Sequence, residues 1–321
     1  MNTSQSSRCP FCGATEHTFL FKRRDLRFLC TPKDFSIVRC TSCGGGYILD
    51  APDAEALKEY YPEAFFSKNH ESSGAVEKLQ KKLALVEKFK PLPLSQERAC
   101  RILDVGCAGG EFIAYATQHG YDAYGYEVSE IPSKTERIVQ SPSLENVYED
   151  ASFDIITSWA VLEHMLNLDE QMRNISRLLR QEGVFVALVP NFNSIAGRLM
   201  RQDDVPRHLN FFTRKAMNTL LARHQLAPVK YIFSDEIFSG SNHGFLVFLF
   251  KALCGERWDD ILVQHRAPGK RQEFCRQLHG KPSRLNELVC AFDSAVFTPC
   301  LDRLVNWLHF GFIMTVIAKK V

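Results

Sequence analysis

The sequence predicts a doubly wound α/β fold, and four stretches carry that prediction. Residues 101–112, RILDVGCAGGEF, are a short apolar run that ends in Asp104 and opens into the glycine turn 106–110. Phe112, Ile113, Tyr115 and Ala116 follow at helical spacing, so the stretch reads as strand, tight turn and helix start. Glycine suits that turn because a Cβ would hold the backbone away from a nucleotide-like ligand. A second strand, 122–128, carries Glu127, an acid placed as α/β units place one for ribose hydroxyls. Further on, FDIITS at 153–158 and the continuous apolar run 184–189 read as buried strands of the same sheet.

The glycine pattern also bears on the ligand. A dinucleotide fingerprint needs GxGxxG, which this loop lacks. Asp104 stands directly before the glycines, where it favours a cation or an ammonium group over a pyrophosphate. The stretch resembles the first motif of the class I S-adenosylmethionine (SAM) methyltransferases, acid-x-Gly-x-Gly-x-Gly. Asp104, Gly106 and Gly110 match it, and Ala108 stands in for the middle glycine. WAVLEHM at 159–165 resembles the segment that follows the family's fourth strand, which implies that Trp159 packs near the cofactor and that Glu163-His164 begin a helix facing the substrate. The resemblance covers 101–213 and is weak over 235–308. It implies a Rossmann-like seven-stranded sheet, doubly wound, whose last strand is inserted antiparallel beside the sixth. SAM is the cofactor implied, held by Asp104, Gly106, Cys107, Gly110, Glu127, Val128, Ser143, Leu144, Trp159 and Glu163. The family usually offers adenine an acid in the loop after the third strand; here Ser143 and the Leu144 backbone take that place, with Glu145 next in line.

Composition sets the bounds. The chain has 321 residues, enough for one large domain and a small one, with 45% hydrophobic and 24% charged residues. A net charge of +2 argues against general nucleic-acid binding. No apolar stretch with basic flanks opens the chain, and no run is long enough to span a bilayer, so a cytoplasmic protein is expected. Eleven cysteines, an odd number, favour reduced thiols and metal ligation over a disulfide framework.

In chain order, 1–50 read as a zinc ribbon. CPFCG at 9–13 and CTSCG at 40–44 are paired knuckles, with 27 residues between Cys12 and Cys40. Four thiolates so spaced, from Cys9, Cys12, Cys40 and Cys43, suit tetrahedral Zn²⁺. Cys30, without a knuckle partner, reads as a buried thiol, and 18–21 and 35–39 as strands. Residues 51–95 are a connector rich in aromatics (Tyr60, Tyr61, Phe65, Phe66) with a helix at 75–89, whose stripe is Val76, Leu79, Leu83 and Val86. The resemblance lays that helix across the cofactor cleft. Residues 96–234 form the SAM-binding core. Within it Asn167 and Glu170 suggest a capping box, Thr213 a helix cap, and 226–234 the sixth strand. Residues 235–308 are a helical insertion in which Thr298-Pro299 reads as a helix start. It suits a lid, a dimer contact or a peripheral membrane contact. Residues 309–321 supply the last strand.

The resemblance extends to the two knuckles, since the chain is similar to small-molecule and sugar-modifying members of that family that carry an N-terminal zinc-binding module. It implies methyl transfer from SAM to a small-molecule or carbohydrate-like acceptor, at oxygen. The alternatives are a zinc-ribbon-guided RNA or protein methyltransferase, or a catalytically silent assembly module. Of ten histidines, His17, His70, His119 and His279 fall in surface segments and His224 on a core-facing stripe. His208, in PRHLNFFT, is expected as general base and His164 as the group that positions the acceptor, with His243 behind them.

Overall fold

The computed structural model describes residues 8–66, 75–91, 98–133, 135–199, 204–234, 237, 244–266 and 270–321. The chain opens with β1 (His17–Arg23), β2 (Phe35–Cys40) and β3 (Gly46–Ile48), then α1 (Ala54–Lys58), α2 (Glu63–Phe66) and α3 (Ala75–Phe89). Next come β4 (Arg101–Val105), α4 (Glu111–Gln118), β5 (Asp122–Glu127), β6 (Ile138–Gln140), β7 (Phe153–Trp159), α5 (Leu168–Leu178) and β8 (Leu179–Pro190). After α6 (Ile195–Leu199), β9 (Asn210–Phe211), α7 (Arg214–Arg223) and β10 (Leu226–Phe233) comes the insertion. It holds α8 (Phe245–Leu253), α9 (Trp258–Arg266), α10 (Arg271–Arg276), the hairpin β11 (Gln277–Leu278) and β12 (Lys281–Pro282), α11 (Arg284–Phe292) and α12 (Thr298–Trp307). β13 (Ile313–Lys320) closes the chain.

Seven strands form one sheet in the order β10-β13-β8-β7-β4-β5-β6. β4 to β8 are parallel, and β13 lies antiparallel between β8 and β10. This is the doubly wound α/β sheet, last strand antiparallel, that the sequence leads one to expect. The chain winds outward from β4 through β5 to β6, then returns to β7 on the other side of β4. The carboxyl ends of β4 and β7 therefore flank the switch point where such sheets hold ligands. Period-two alternation divides the core between two faces. Leu103, Ile156 and Phe185 pack with Met172, Ile175 and Leu220 on one side. Ile102, Ile155 and Val186 pack with Phe112 and Ile113 on the other.

A second sheet, in the order β1-β2-β3-β9, joins the first fifty residues to the catalytic core, since β9 comes from the loop that precedes α7. Phe11, Cys9 and Tyr47 share one apolar cluster with Phe212, Ala216 and Met217. Lys215 donates to the Ser42 carbonyl (2.7 Å) and Arg223 to that of Phe11 (2.9 Å).

Several local expectations need correction. Asn167 makes no capping bond, and Glu170 turns instead to the Ser143 hydroxyl at 3.3 Å. β8 starts at Leu179 and runs through Gly183 rather than starting at Val184, because Leu179 pairs with Phe153 before the register shifts. Thr213 does cap α7, accepting from the Ala216 amide at 3.1 Å. Thr298 caps nothing: its backbone is already helical and its hydroxyl donates to Asp293 at 3.0 Å. Cys30 is exposed, not buried. Cys275 and Cys290 form a disulfide, where reduced thiols were expected throughout. No helix among the described residues is long and apolar enough to cross a membrane.

Candidate functional site

β4 delivers Asp104 into a buried position, where its carboxylate accepts from Thr157 Oγ1 at 2.6 Å. Burial pushes its pKa up to about 6, against the opposing pull of Lys82 and the Thr157 bond. The chain then turns at Gly106 with φ +76°, and a Cβ there would stand 2.4 Å from a Val161 methyl. Ala108 keeps a left-handed φ of +49° despite its side chain, so the missing middle glycine alters the residue and not the path. Glu127 closes over this loop. Its carboxylate accepts from the amides of Ala108 (3.0 Å), Val128 (2.9 Å) and Ser129 (3.0 Å). A carboxylate has about four acceptor positions, so these three bonds leave one open.

The other expected cofactor residues divide. Cys107 is buried, with its Sγ where a Cβ on Gly125 would come within 2.5 Å, while the Val128 side chain is exposed. Leu144 is a core side chain beside Ser143. Glu170 of α5 reaches that loop, accepting from the Ser143 hydroxyl. Trp159 ends β7, and its Nε1 has no hydrogen-bond partner among the described residues. Lys82 of α3 sits over the rings of Trp159 (5.2 Å) and Phe112 (5.7 Å). Burial lowers its pKa, opposed by the charges of Asp104 and Glu111.

Beyond β7 the sequence leads one to expect a helix starting at Glu163-His164. Leu162–His164 are instead a single 3₁₀ turn, and α5 begins at Leu168. The carbonyls that would continue a helix are engaged elsewhere: Asn210 Nδ2 donates to those of Leu162 (3.1 Å) and Met165 (2.7 Å), and the Leu209 amide to that of Glu163 (2.7 Å). These bonds hold 162–165 against the loop that carries His208. The donor atoms of Glu163, His164 and His208 lie within 4.8 Å of one another, and the two imidazoles pack edge to face at 4.7 Å. Tyr61 OH and the Arg207 carbonyl each lie 3.0 Å from His164 Nδ1. Burial lowers the His164 pKa to about 4. Burial, with Asp204 adding, raises that of Glu163 to about 8, and Glu163 Oε2 has no partner among the described residues. His243 lies outside the described residues.

Beneath the histidines is an ionic network invisible in the sequence. Arg207 is fully buried and donates to Asp25 (2.8 and 3.1 Å), Asp204 (2.8 and 3.1 Å) and the Tyr60 carbonyl (2.8 Å). Arg27 adds a bond to Asp204 at 2.6 Å. Burial alone would raise the Asp204 pKa, but the charges of Arg207, His208 and Arg27 hold it well below the ordinary carboxylate range. Asp25, 182 positions from Arg207, gives no local signal. Nor does Lys82, one of several lysines beside the stripe of its helix; Tyr61 shows only as one aromatic among four.

The four knuckle cysteines converge on the N-terminal sheet. Cys9 and Cys43 sulfurs are 3.5 Å apart, as are those of Cys12 and Cys40, and all four lie within 4.8 Å of one another. Tetrahedral zinc with bonds of about 2.3 Å sets sulfurs roughly 3.8 Å apart, so the geometry fits. Gly13 (φ +77°) and Gly44 (φ +74°) make the turns, their amides donating to the Cys9 and Cys40 carbonyls at 2.8 and 3.0 Å. Cys30 is not in the cluster.

A family model described as a methyltransferase domain matches residues 72–231. No curated protein matches the chain in sequence. Among solved structures, a SAM-dependent methyltransferase from Archaeoglobus fulgidus is similar, with 16% identity over 81% of this chain and 100% of that one and a TM-score of 0.48. The 1,6-didemethyltoxoflavin-N1-methyltransferase of Burkholderia thailandensis is 19% identical over 64% of this chain and 91% of that one, with a TM-score of 0.42. The geranyl diphosphate C-methyltransferase of Streptomyces coelicolor A3(2) is 11% identical over 85% and 84%, with a TM-score of 0.43. The fold assignment rests on strand order rather than on these resemblances.

Proposed function

We propose, from the premise that the chain is a SAM-dependent methyltransferase built on residues 72–231, that it methylates a hydroxyl oxygen of a small-molecule or carbohydrate-like acceptor. The observation that carries this reading is the cluster of buried Glu163 with half-buried His164 and His208 beyond the end of β7. SAM suits the chemistry of the donors at this end of the sheet: the Asp104 carboxyl is buried at the end of β4, and the Trp159 Nε1 at the end of β7 has no hydrogen-bond partner among the described residues. When bound, SAM supplies an electrophilic methyl on a sulfonium sulfur. Asp104, Gly106, Cys107, Gly110, Glu127, Val128, Ser143, Leu144 and Trp159 would hold it, while Glu163, first expected among them, is read here with the acceptor because it lies beside His164 and His208.

An alcohol is barely ionised near pH 7, so a positioned base contributes roughly 10²–10⁴-fold. His208 suits that role because the Asp204 carboxylate, kept ionised by Arg207, favours the imidazolium that forms. His208 would take the proton that the acceptor hydroxyl loses as its oxygen is methylated. The proton then leaves to solvent. His164, neutral through burial, and Glu163, protonated at neutral pH, orient the acceptor without adding net charge. Tyr61 fixes the His164 ring. Alignment and exclusion of water supply the remaining acceleration.

Zinc on Cys9, Cys12, Cys40 and Cys43 belongs to the same reading as a structural ion, in a cytoplasm that keeps those thiols reduced. The test is incubation with methyl-labelled SAM and fractionated metabolites, polysaccharide and RNA, followed by mass analysis of what takes label. Label in a hydroxylated small molecule or saccharide is the expected result, and label confined to RNA would overturn it. His208→Ala should keep SAM affinity and lose roughly 10²–10⁴-fold in turnover, with partial recovery as pH rises. Normal turnover in that variant removes the base assignment.

A further inference from the structure

From Arg284 to Trp307 the insertion is one helical rod. α11 continues through a π-helical turn, Asp293–Phe297, into α12, and the backbone is right-handed helical at Phe292, Phe297 and Thr298. One face of the rod is anchored: Asn286, Cys290, Asp293, Thr298 and Val305 are buried, and Asn286 Nδ2 donates to the Phe274 and Cys275 carbonyls at 2.9 and 2.8 Å. A helix packed in this way ordinarily turns charged and polar residues to water. Here the outward face carries Leu285, Leu288, Phe292, Val296, Leu304 and Trp307 at steps of three, four and eight residues, with Trp307 74% exposed. Contiguous exposed apolar surface of that kind marks an interaction site.

The exposed charges along this face, Arg284, Glu287 and Arg303, identify the occupant. Glu287 is exposed at the flank of the stripe, about 100° round the helix from Leu288, where its carboxylate opposes an anionic membrane surface. Two copies of the rod fit each other better. Glu287 is eight residues before Ala295 and Arg303 eight residues after it. A two-fold axis at Ala295 with the rods antiparallel sets each Glu287 opposite Arg303 of the second copy, about 12 Å from the axis. The same operation brings Arg284 level with Trp307, in reach of a cation–π contact, and the exposed Ala291 and Ala295 allow close approach at the centre.

We propose that the 284–308 stripe is the self-association surface of an isologous antiparallel dimer, closed by reciprocal Glu287–Arg303 pairs. This is independent of the acceptor assigned above.

Sedimentation velocity on the purified full chain from about 1 to about 100 μM should show a monomer–dimer equilibrium. Glu287→Arg and Arg303→Glu should each weaken the dimer on the order of tenfold, and the double reversal should restore it. Both sites are exposed, so unchanged melting curves would verify intact folding. A wild-type monomer throughout, a dimer indifferent to both single reversals, or failure of the double reversal to rescue would each overturn the proposal. So would a monomer that co-sediments with phosphatidylglycerol–phosphatidylcholine vesicles, because the stripe would then be lipid-facing.

Discussion

Ala108 and Glu127 are best understood together. A left-handed alanine costs on the order of 1–2 kcal/mol, and its amide donates to the Glu127 carboxylate at 3.0 Å, a charge-assisted bond that offsets part of that cost. The same acid that would serve a ribose therefore also keeps the glycine loop in shape. Glu163 behaves differently, because nothing among the described residues compensates its burial. Its folded pKa, about 8 against an ordinary value of 4.5, means that the folded state keeps a proton which the unfolded chain releases. Stability should therefore fall as pH rises from about 4.5 to about 8. His164 opposes this lower down: its pKa of about 4 against 6.5 makes stability rise over pH 4 to 6.5. Between about pH 6.5 and 8 only the Glu163 contribution remains of these two. Glu163→Gln should flatten the decline in urea-measured stability over that window. An unchanged slope would mean that Glu163 ionises normally.

Among the elements, the loop from Asp204 to Thr213 does most to define the acceptor end. It contributes Arg207, His208 and β9, and so ties the N-terminal sheet, the connector through Tyr60, and the 162–165 turn to one another. Removing one partner of a fully buried ion network leaves uncompensated charge, which costs about 3–5 kcal/mol. Arg207→Met should destabilise the protein by about that amount in denaturant unfolding, since Asp25 and Asp204 lose their shared cation. A loss below about 1 kcal/mol would mean that other groups satisfy the two acids. In the insertion, α12 does start at Thr298 with Pro299 in its first turn, but Thr298 does not cap it. The Thr298 hydroxyl binds Asp293 inside a helix that is already continuous, and Pro299 sits where the widened π turn frees its nitrogen from the ladder.

For the whole molecule, the cysteine cluster is part of the main core rather than an appendage. Cys9, Cys40 and Cys43 share a cluster with Phe212 and Met217, and β3 pairs with β9. Loss of a metal there should be felt throughout. A strong chelator should lower the melting temperature of one cooperative transition on the order of 5 °C or more, with no separate low-temperature step. Cys40→Ser should abolish stoichiometric zinc, and Cys30→Ser should retain it. A chelator-insensitive melting curve in protein shown to have lost its metal would sink the structural role.

The sequence by itself determined the sheet and the glycine turn after β4, because both are written in local patterns. Apolar runs with period-two faces, Asp104 before the glycines and Glu127 at the next strand end need only neighbouring residues to be read. The paired knuckles were legible for the same reason, since a C-x-x-C turn fixes two sulfurs at once. The pairing of Asp25 with Arg207, Tyr61 with His164 and β3 with β9 was decided only in three dimensions. So was the conversion of Glu163-His164 from a helix start to a 3₁₀ turn. These contacts join positions tens to nearly two hundred residues apart, and neither charge nor hydrophobicity at either end specifies its partner. The apolar outer stripe of the 284–308 rod belongs with them: periodicity identifies a helix with apolar residues, but which face the fold leaves open depends on what packs against the other.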